Sequence, residues 1–411
     1  MKDKILSLPA ALRAKLVGHK VTKLEAENKK LKQKLYESVA NPDRPVSTPS
    51  HVLENANDEE LQRIVREAHQ EGTLFETAQT LAAKKVQHDL HYTQALLYAL
   101  KAAGKHGKEV DHKMRERLLP AFYVSQLPER FARGMEEGAI PSLAPVVSFR
   151  GLITTRVRRK QLGHQLPEWK LDNKELGYRF AKKLDIPVPH QHKETYQLKE
   201  LPLKPGTVIK PQHGAGGRGV YLLLEQDHYV NAKTSEKLLS KEELLASMQE
   251  DLQTGAVQED TWMAEELYFY DKAALEPARD IKFYCFYGKA VLILEIRRYP
   301  ELGYCWWTAD GKQVETGKYT EHLFTGNGVS AEELEVAEKM SKEIPAPFCR
   351  IDFLLTDEGP VFGEFTPKPG NYDHFDEATD TKLGEAFLEA EENLFHDIWQ
   401  GKKFEKWREL Q

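Results

Sequence analysis

The stretch Val208-Ile209-Lys210-Pro211-Gln212-His213-Gly214-Ala215-Gly216-Gly217-Arg218-Gly219-Val220-Tyr221 decides how this chain is read. Apolar, β-branched residues lead into Lys210, glycines follow, and a second apolar run, 220–224, leads away. Gly214, Gly216 and Gly219 satisfy the pattern G-x-G-x-x-G, and Gly217 lies in the same loop. A dinucleotide-binding fold requires a helix to begin at such glycines. Here a β-type run follows instead, so the glycines join two strands. Such a loop is a flap whose backbone N–H groups can close over phosphates. Lys210, at the end of the incoming strand, would aim its ammonium at phosphate oxygens. The stretch lacks the G-K-[ST] ending of a P-loop, which excludes that motif. Taken by itself, it is also compatible with a glycine-rich hairpin that binds nothing.

Downstream, Arg350-Ile351-Asp352-Phe353-Leu354-Leu355 precedes a turn and then Gly363-Glu364-Phe365-Thr366-Pro367-Lys368-Pro369-Gly370. Two strands joined through Asp357-Glu358-Gly359 would set Asp352 beside Glu364. Hard oxygen ligands so placed suit magnesium held together with nucleotide phosphates. Between the two motifs stand Met263-Ala264-Glu265-Glu266-Leu267-Tyr268 and the run from Arg279 to Ala290. The first reads as a strand edge able to take adenine between backbone groups and a carboxylate. The second reads as a hairpin turning at Tyr287-Gly288-Lys289. Strand-like runs at 206–211, 220–224, 281–287, 290–296 and 351–355 alternate with helical segments at 173–184 and 241–251. That alternation describes an α/β or α+β catalytic domain.

In this order the motifs resemble the ATP-grasp superfamily, over residues 165–385. Asp280-Ile281-Lys282-Phe283, Gly363-Glu364-Phe365-Thr366 and the late Asp380-Thr381-Lys382-Leu383-Gly384 look most like its teichuronopeptide-biosynthesis (TupA-like) branch. The resemblance implies ATP and Mg2+ as cofactors and assigns roles residue by residue. Lys174 and Lys210 would hold nucleotide phosphates, with Gly214, Gly216, Gly217 and Gly219 covering them. Glu265 and Leu267 would meet adenine, and Asp280 or Lys282 would lie near ribose or phosphates. Asp352 and Glu364 would bind magnesium, and Arg298 and Arg350 would stabilise the transferred phosphoryl group. Thr366 stands where many ATP-grasp ligases have Asn, which puts a second magnesium in doubt. The familiar N-terminal α/β lobe is replaced by a helical segment and a basic stretch, Arg150, Arg156, Arg158, Arg159 and Lys160. That stretch is read both as a binding site for an anionic acceptor and as a solvated connector.

The implied reaction is carboxylate–amine ligation through an acylphosphate, in cell-envelope polysaccharide or peptide modification. A small-molecule or sugar kinase on the same scaffold is the first alternative, and a nucleotide-binding scaffold protein the second. The implied partners are an anionic carboxylate acceptor and an amine co-substrate.

Upstream, Val17, Val21, Leu24, Asn28, Leu31 and Leu35 repeat with heptad spacing, and Asn28 falls at an a position. A short coiled coil over 1–40 and a homodimer through it are expected; three heptads are marginal alone, so the alternative is an amphipathic helix that folds back on its own chain. A linker, 41–56, and an all-helical module, 57–137, would separate it from the ATP-grasp catalytic domain, 138–411. Residues 1–40 hold ten Lys and Arg against four Asp and Glu, within a chain of net charge −6. A basic end of this kind reads first as a solvated helix surface and second as a site of peripheral association with an anionic surface; no nucleic-acid partner is expected. Three scattered cysteines indicate neither a disulfide framework nor a CxxC metal site, which fits a cytoplasmic protein. The longest uncharged apolar run, 290–294, is too short to span a bilayer.

Overall fold

The computed structural model describes residues 57–127, 143–189, 194–213 and 217–410. The heptad segment and the linker that follows it therefore lie outside the described residues. The chain divides into two compact units, Met1–Pro141 and Ser142–Gln411.

In the first unit, helix α1 (Asp58–Glu71) begins at Asn57, whose side chain accepts from the Glu60 N–H while the Glu60 carboxylate accepts from the Asn57 N–H. This reciprocal cap satisfies two N–H groups that a helix end leaves orphaned. The helix stops at Gly72, whose φ of 80° favours glycine. Ile64 and Ala68, one turn apart, bury its apolar stripe. Helices α2 (Leu74–Ala103) and α3 (Lys108–Leu118) follow.

The second unit opens with α4 (Phe149–Gln161), α5 (Pro167–Lys170) and α6 (Lys174–Lys183). Strands β1 (Thr207–Pro211), β2 (Tyr221–Glu225), β3 (His228–Asn231), β4 (Lys237–Leu238) and β5 (Trp262–Glu266) form an antiparallel sheet ordered β4-β3-β2-β1-β5. Helix α7 (Lys241–Thr254) supplies Leu244 and Met248 to its core, around Ile209, Tyr221, Leu223 and Trp262. A two-stranded ribbon, β6 (Phe269–Asp271) with β7 (Glu276–Pro277), leads to the second sheet. There β8 (Arg279–Cys285), β9 (Ala290–Arg297), β10 (Gly303–Thr308), β11 (Cys349–Thr356) and β12 (Gly359–Thr366) lie in the order β10-β9-β8-β11-β12. Helices α8 (Ala331–Lys342), α9 (Glu377–Trp399) and α10 (Glu405–Arg408) complete the unit.

Period-two alternation sorts the second sheet's side chains. Ile281, Phe283 and Cys285 of β8, with Ile351 and Phe353 of β11, are buried in the main core. The Cys285 thiol contacts the Ala337 carbonyl of α8, which fixes this as the helix-covered face. The residues in between, Asp280 and Lys282 on β8 and Arg350 and Asp352 on β11, are left to the opposite face. The expected strand runs coincide with β1, β2, β8, β9 and β11, and the expected helices with α6 and α7.

Candidate active site

Strand register assembles the acidic centre. Asp352 stands opposite Lys282 on one side and opposite Glu364 on the other. Arg350 Nε donates to Asp352 Oδ1 at 2.7 Å, and Arg350 Nη2 and Lys282 Nζ each donate to Oδ2 at 2.6 Å. Arg350 Nη2 also reaches Thr366 Oγ1 at 3.0 Å and stands 3.8 Å from Glu364 Oε1. A register shift follows Asp352, with Gly363 inserted on the partner strand; a Cβ there would stand 3.1 Å from the Asp352 carbonyl oxygen. The bulge keeps Glu364 on the same face as Asp352.

The two carboxyls respond in opposite directions. Burial favours protonation of Asp352, but Arg350 and Lys282 outweigh it and hold the carboxyl below its ordinary range. At Glu364, partial burial and the negative charge of Asp352 push the carboxyl up, against Lys282, Arg350 and Lys174. Paired acids in such conflict, one of them lacking a hydrogen-bond donor within 3.5 Å among the described residues, fit a hard divalent cation. Among the described residues no group of three His, Cys, Asp or Glu gathers for a metal. Magnesium here would rely on these two acids and on substrate oxygens, its usual habit in phosphate sites.

Asp280 and Arg298 pair nearby: Arg298 Nη2 and Nε reach Asp280 Oδ2 at 2.6 and 3.0 Å. Burial alone would raise the Asp280 carboxyl; Arg298 and Lys282 hold it below its ordinary range. Arg298 Nη1 also donates to the Ala232 carbonyl at 3.2 Å, and a Cβ on Gly217 would lie 3.6 Å from that nitrogen. Arg298 therefore ties the second sheet to the base of the flap.

On the first sheet, Lys210 forms an ion pair with Glu265 of the neighbouring strand. Burial and the charge of Lys174 lower the Lys210 pKa, while Glu265 and Glu364 oppose that shift. Lys174 is the first residue of α6, and Asn173 caps that helix by accepting from the Leu176 N–H at 3.1 Å. One turn further, Tyr178 is buried, and burial with the charges of Glu265 and Glu364 raises its phenol pKa. Tyr178 thus lies within electrostatic reach of acids from both sheets. Sequence reading missed it, although the spacing of Lys174 and Tyr178 puts them on one helix face.

Gly214 and Gly216 lie outside the described residues. Gly217 and Gly219 have φ of 76° and 70°, and a Cβ at Gly219 would overlap Val257. Glycine is required there for both reasons. Leu267 is buried among Leu222, Leu224, Val230 and Phe269, and its N–H donates to the Gly206 carbonyl at 2.9 Å. That N–H is engaged within the fold, so Leu267 would border adenine through its side chain or carbonyl.

The basic stretch does not converge. Arg156 is buried in an ion pair with buried Glu168, which makes it a packing residue rather than an acceptor ligand. Arg150 donates to the Asp373 carbonyl at 2.6 Å, Lys160 sits 4.6 Å above the Trp169 ring, and Arg158 and Arg159 face solvent. Lys318, in the loop after β10, also escaped sequence reading: it is a lysine only 2% exposed beside Arg350. No periodicity marks Glu315-Thr316-Gly317-Lys318-Tyr319, so no sequence signal pointed to it.

Two antiparallel sheets carrying paired lysines, carboxylates and arginines are the framework of an ATP-grasp domain. The chain belongs to the TupA-like ATPgrasp family, whose profile matches residues 153–388, more than half its length. No curated protein matches it. Among solved structures it is similar to D-alanine–D-alanine ligase from Bacillus anthracis, at 15% identity and TM-score 0.34, over 59% of this chain and 77% of that one. It is also similar to the ATP-grasp ligase PsnB complexed with minimal precursor, Mg and ADP (13%, TM-score 0.29, 58% and 66%). A third is the D-cycloserine synthetase DcsG (14%, TM-score 0.30, 54% and 70%).

Proposed function

We propose that the chain is an ATP- and magnesium-dependent ligase that joins a carboxylate to an amine through an acylphosphate. The observation that carries this reading is the pair of charged clusters, Lys210–Glu265 on the first sheet and Lys282–Asp352–Arg350 with Glu364 on the second. Fixed charge at Lys174 and Lys210 suits nucleotide phosphates, and the glycine flap would cover them. Glu265 and Leu267 would border adenine, with Asp280 and Lys282 toward ribose or phosphates. Asp352 and Glu364 would hold magnesium, which when bound neutralises phosphate charge. Arg350, locked by Asp352, and Arg298, locked by Asp280, stand as rigid cations for the transferred group.

An acceptor carboxylate oxygen attacks the γ-phosphorus, and the bond to ADP breaks. The amine nitrogen then attacks the acyl carbon; phosphate leaves as the C–N bond forms, and the amine gives up a proton. Family membership supports a place in cell-envelope polysaccharide or peptide modification, such as joining an amino acid to a uronic acid. Among the described residues no helix is long and apolar enough to cross a membrane. A cytoplasmic homodimer, assembled through residues 1–40 and able to rest on an anionic surface, completes the reading.

The test is ATP consumption with amino acids paired against uronic acids, followed by product analysis. ADP, free phosphate and a new amide are expected. A phosphorylated product without free phosphate would instead make the protein a kinase, and bound nucleotide that never turns over would make it a scaffold.

A further inference from the structure

Lys318 is 2% exposed, yet no carboxylate stands within ion-pair distance of it among the described residues. Its Nζ donates to the Gly370 carbonyl at 2.6 Å and lies 4.9 Å from the Phe375 ring and 5.1 Å from the Tyr319 ring. One acceptor for three ammonium protons leaves the group under-satisfied. Tyr284, on the site face of β8, is fully buried; its hydroxyl faces the Arg350 guanidinium, and its own O–H finds no acceptor among the described residues. The Tyr284 ring packs 5.7 Å from the same Phe375 ring. The charge of Arg350 acts on both residues. A buried amine without a carboxylate and a hydroxyl without an acceptor meet at one phenylalanine ring, under the field of a guanidinium whose own charge is already taken by Asp352.

We infer that Lys318, the Tyr284 hydroxyl and Arg350 form a subsite for an oxyanion, the carboxylate of the acceptor, beneath the turn 316–319. This deepens the ligase reading and rests on it, because the activated group of a carboxylate–amine ligase is that carboxylate. The carboxylate would supply the counter-ion that Lys318 lacks and the acceptor that Tyr284 lacks. The charges that act on Lys318 are Arg350 of β11 and Asp373 of the loop that follows β12; Tyr319, Phe375 and the Gly370 carbonyl touch it, and Tyr284 of β8 packs on the same Phe375 ring. Burial first, and then the like charge of Arg350, push Lys318 down to about 7, with Asp373 opposing. A bound anion favours the ammonium, so occupancy should raise that midpoint.

The experiment follows Lys318 directly in the full chain labelled with 13C at the lysine Cε, its resonance assigned by its loss in Lys318→Arg. The pH titration is run alone, with acetate, and with inorganic phosphate, each up to about 0.1 M, which saturates a millimolar site. Lys318 should titrate near neutrality, and acetate should move its midpoint upward. Tyr284→Phe, with unchanged near-UV circular dichroism, should shrink that movement severalfold. No movement with acetate overturns the inference. Movement with phosphate alone overturns the carboxylate assignment and gives the subsite to the transferred phosphoryl group. Nucleotide binding, measured on the same samples without turnover, reports separately on the ligase reading. Its loss in the wild-type chain would count against that reading and leave the Lys318 titration standing as its own result.

Discussion

Asp352 takes three hydrogen bonds from two cations, so it is a structural keystone as well as a candidate ligand. Removing one partner of a buried ion pair leaves the other unpaired, which costs about 3–5 kcal/mol. Asp352→Asn should therefore lower stability by about 3 kcal/mol in urea denaturation, beyond any effect on turnover. The pH dependence has a definite sign. Because the folded carboxyl lies below its ordinary value, its share of stability is present above the unfolded pKa, about 3.9, and is lost as pH falls through the folded value. The asparagine variant should lack that acid-side loss. Lys210→Ala and Glu364→Ala test the chemistry itself. Each removes a fixed charge or a metal ligand and should slow ATP turnover by at least about 100-fold, or about 3 kcal/mol. Glu364→Ala should also abolish the magnesium dependence of whatever activity remains. Wild-type rates in either purified, folded variant would refute the assignment.

Helix α4 shows how far elements could be read from sequence. Phe149, Ile153 and Arg156 follow i, i+4, i+7 spacing and share the buried face, so the inward turn of Arg156 was legible. Arg156→Ala should destabilise the protein by about 3 kcal/mol by stranding Glu168, while leaving the KM for the acceptor unchanged. Replacing the exposed Arg158 and Arg159 with Gln should change stability by less than about 0.5 kcal/mol. The strand pair carrying Asp352 and Glu364 was legible for a different reason. A short turn at 357–358 brings the two strands together, which was legible; the one-residue bulge at Gly363 that puts Glu364, and not Gly363, opposite Asp352 was not. The flap obeyed its glycines: Gly219→Ala meets both a positive φ and Val257, and should raise the KM for ATP several-fold. Lys318 and Tyr284 could not be read ahead of the fold. Their meeting depends on where an irregular loop settles over the sheet, and sequence spacing carries no such information.

At the scale of the whole molecule, charge and periodicity separate the N-terminal end from the catalytic unit. Residues 1–40 are basic while the chain as a whole is acidic, and their apolar residues keep a seven-residue repeat that the linker after them lacks. The ATP-grasp unit assembles its candidate site from residues 174–366, none of which belongs to that segment. Dimerisation and catalysis are therefore expected to be separable. In the repeat, Val21, Asn28 and Leu35 take the a positions and Leu24 and Leu31 the d positions. An asparagine at a buried a position sacrifices stability but favours two in-register strands, because each amide then finds its counterpart. A seam this short is marginal by itself, so the dimer should dissociate on dilution rather than persist at all concentrations. Light scattering on the full chain should give a dimer at micromolar concentration, and removal of residues 1–40 should give a monomer with the same kcat per chain. Asn28→Leu should tighten the association and admit higher oligomers. A full-length chain that is already monomeric at micromolar concentration, or a truncated chain that still dimerises, would place the assembly surface elsewhere.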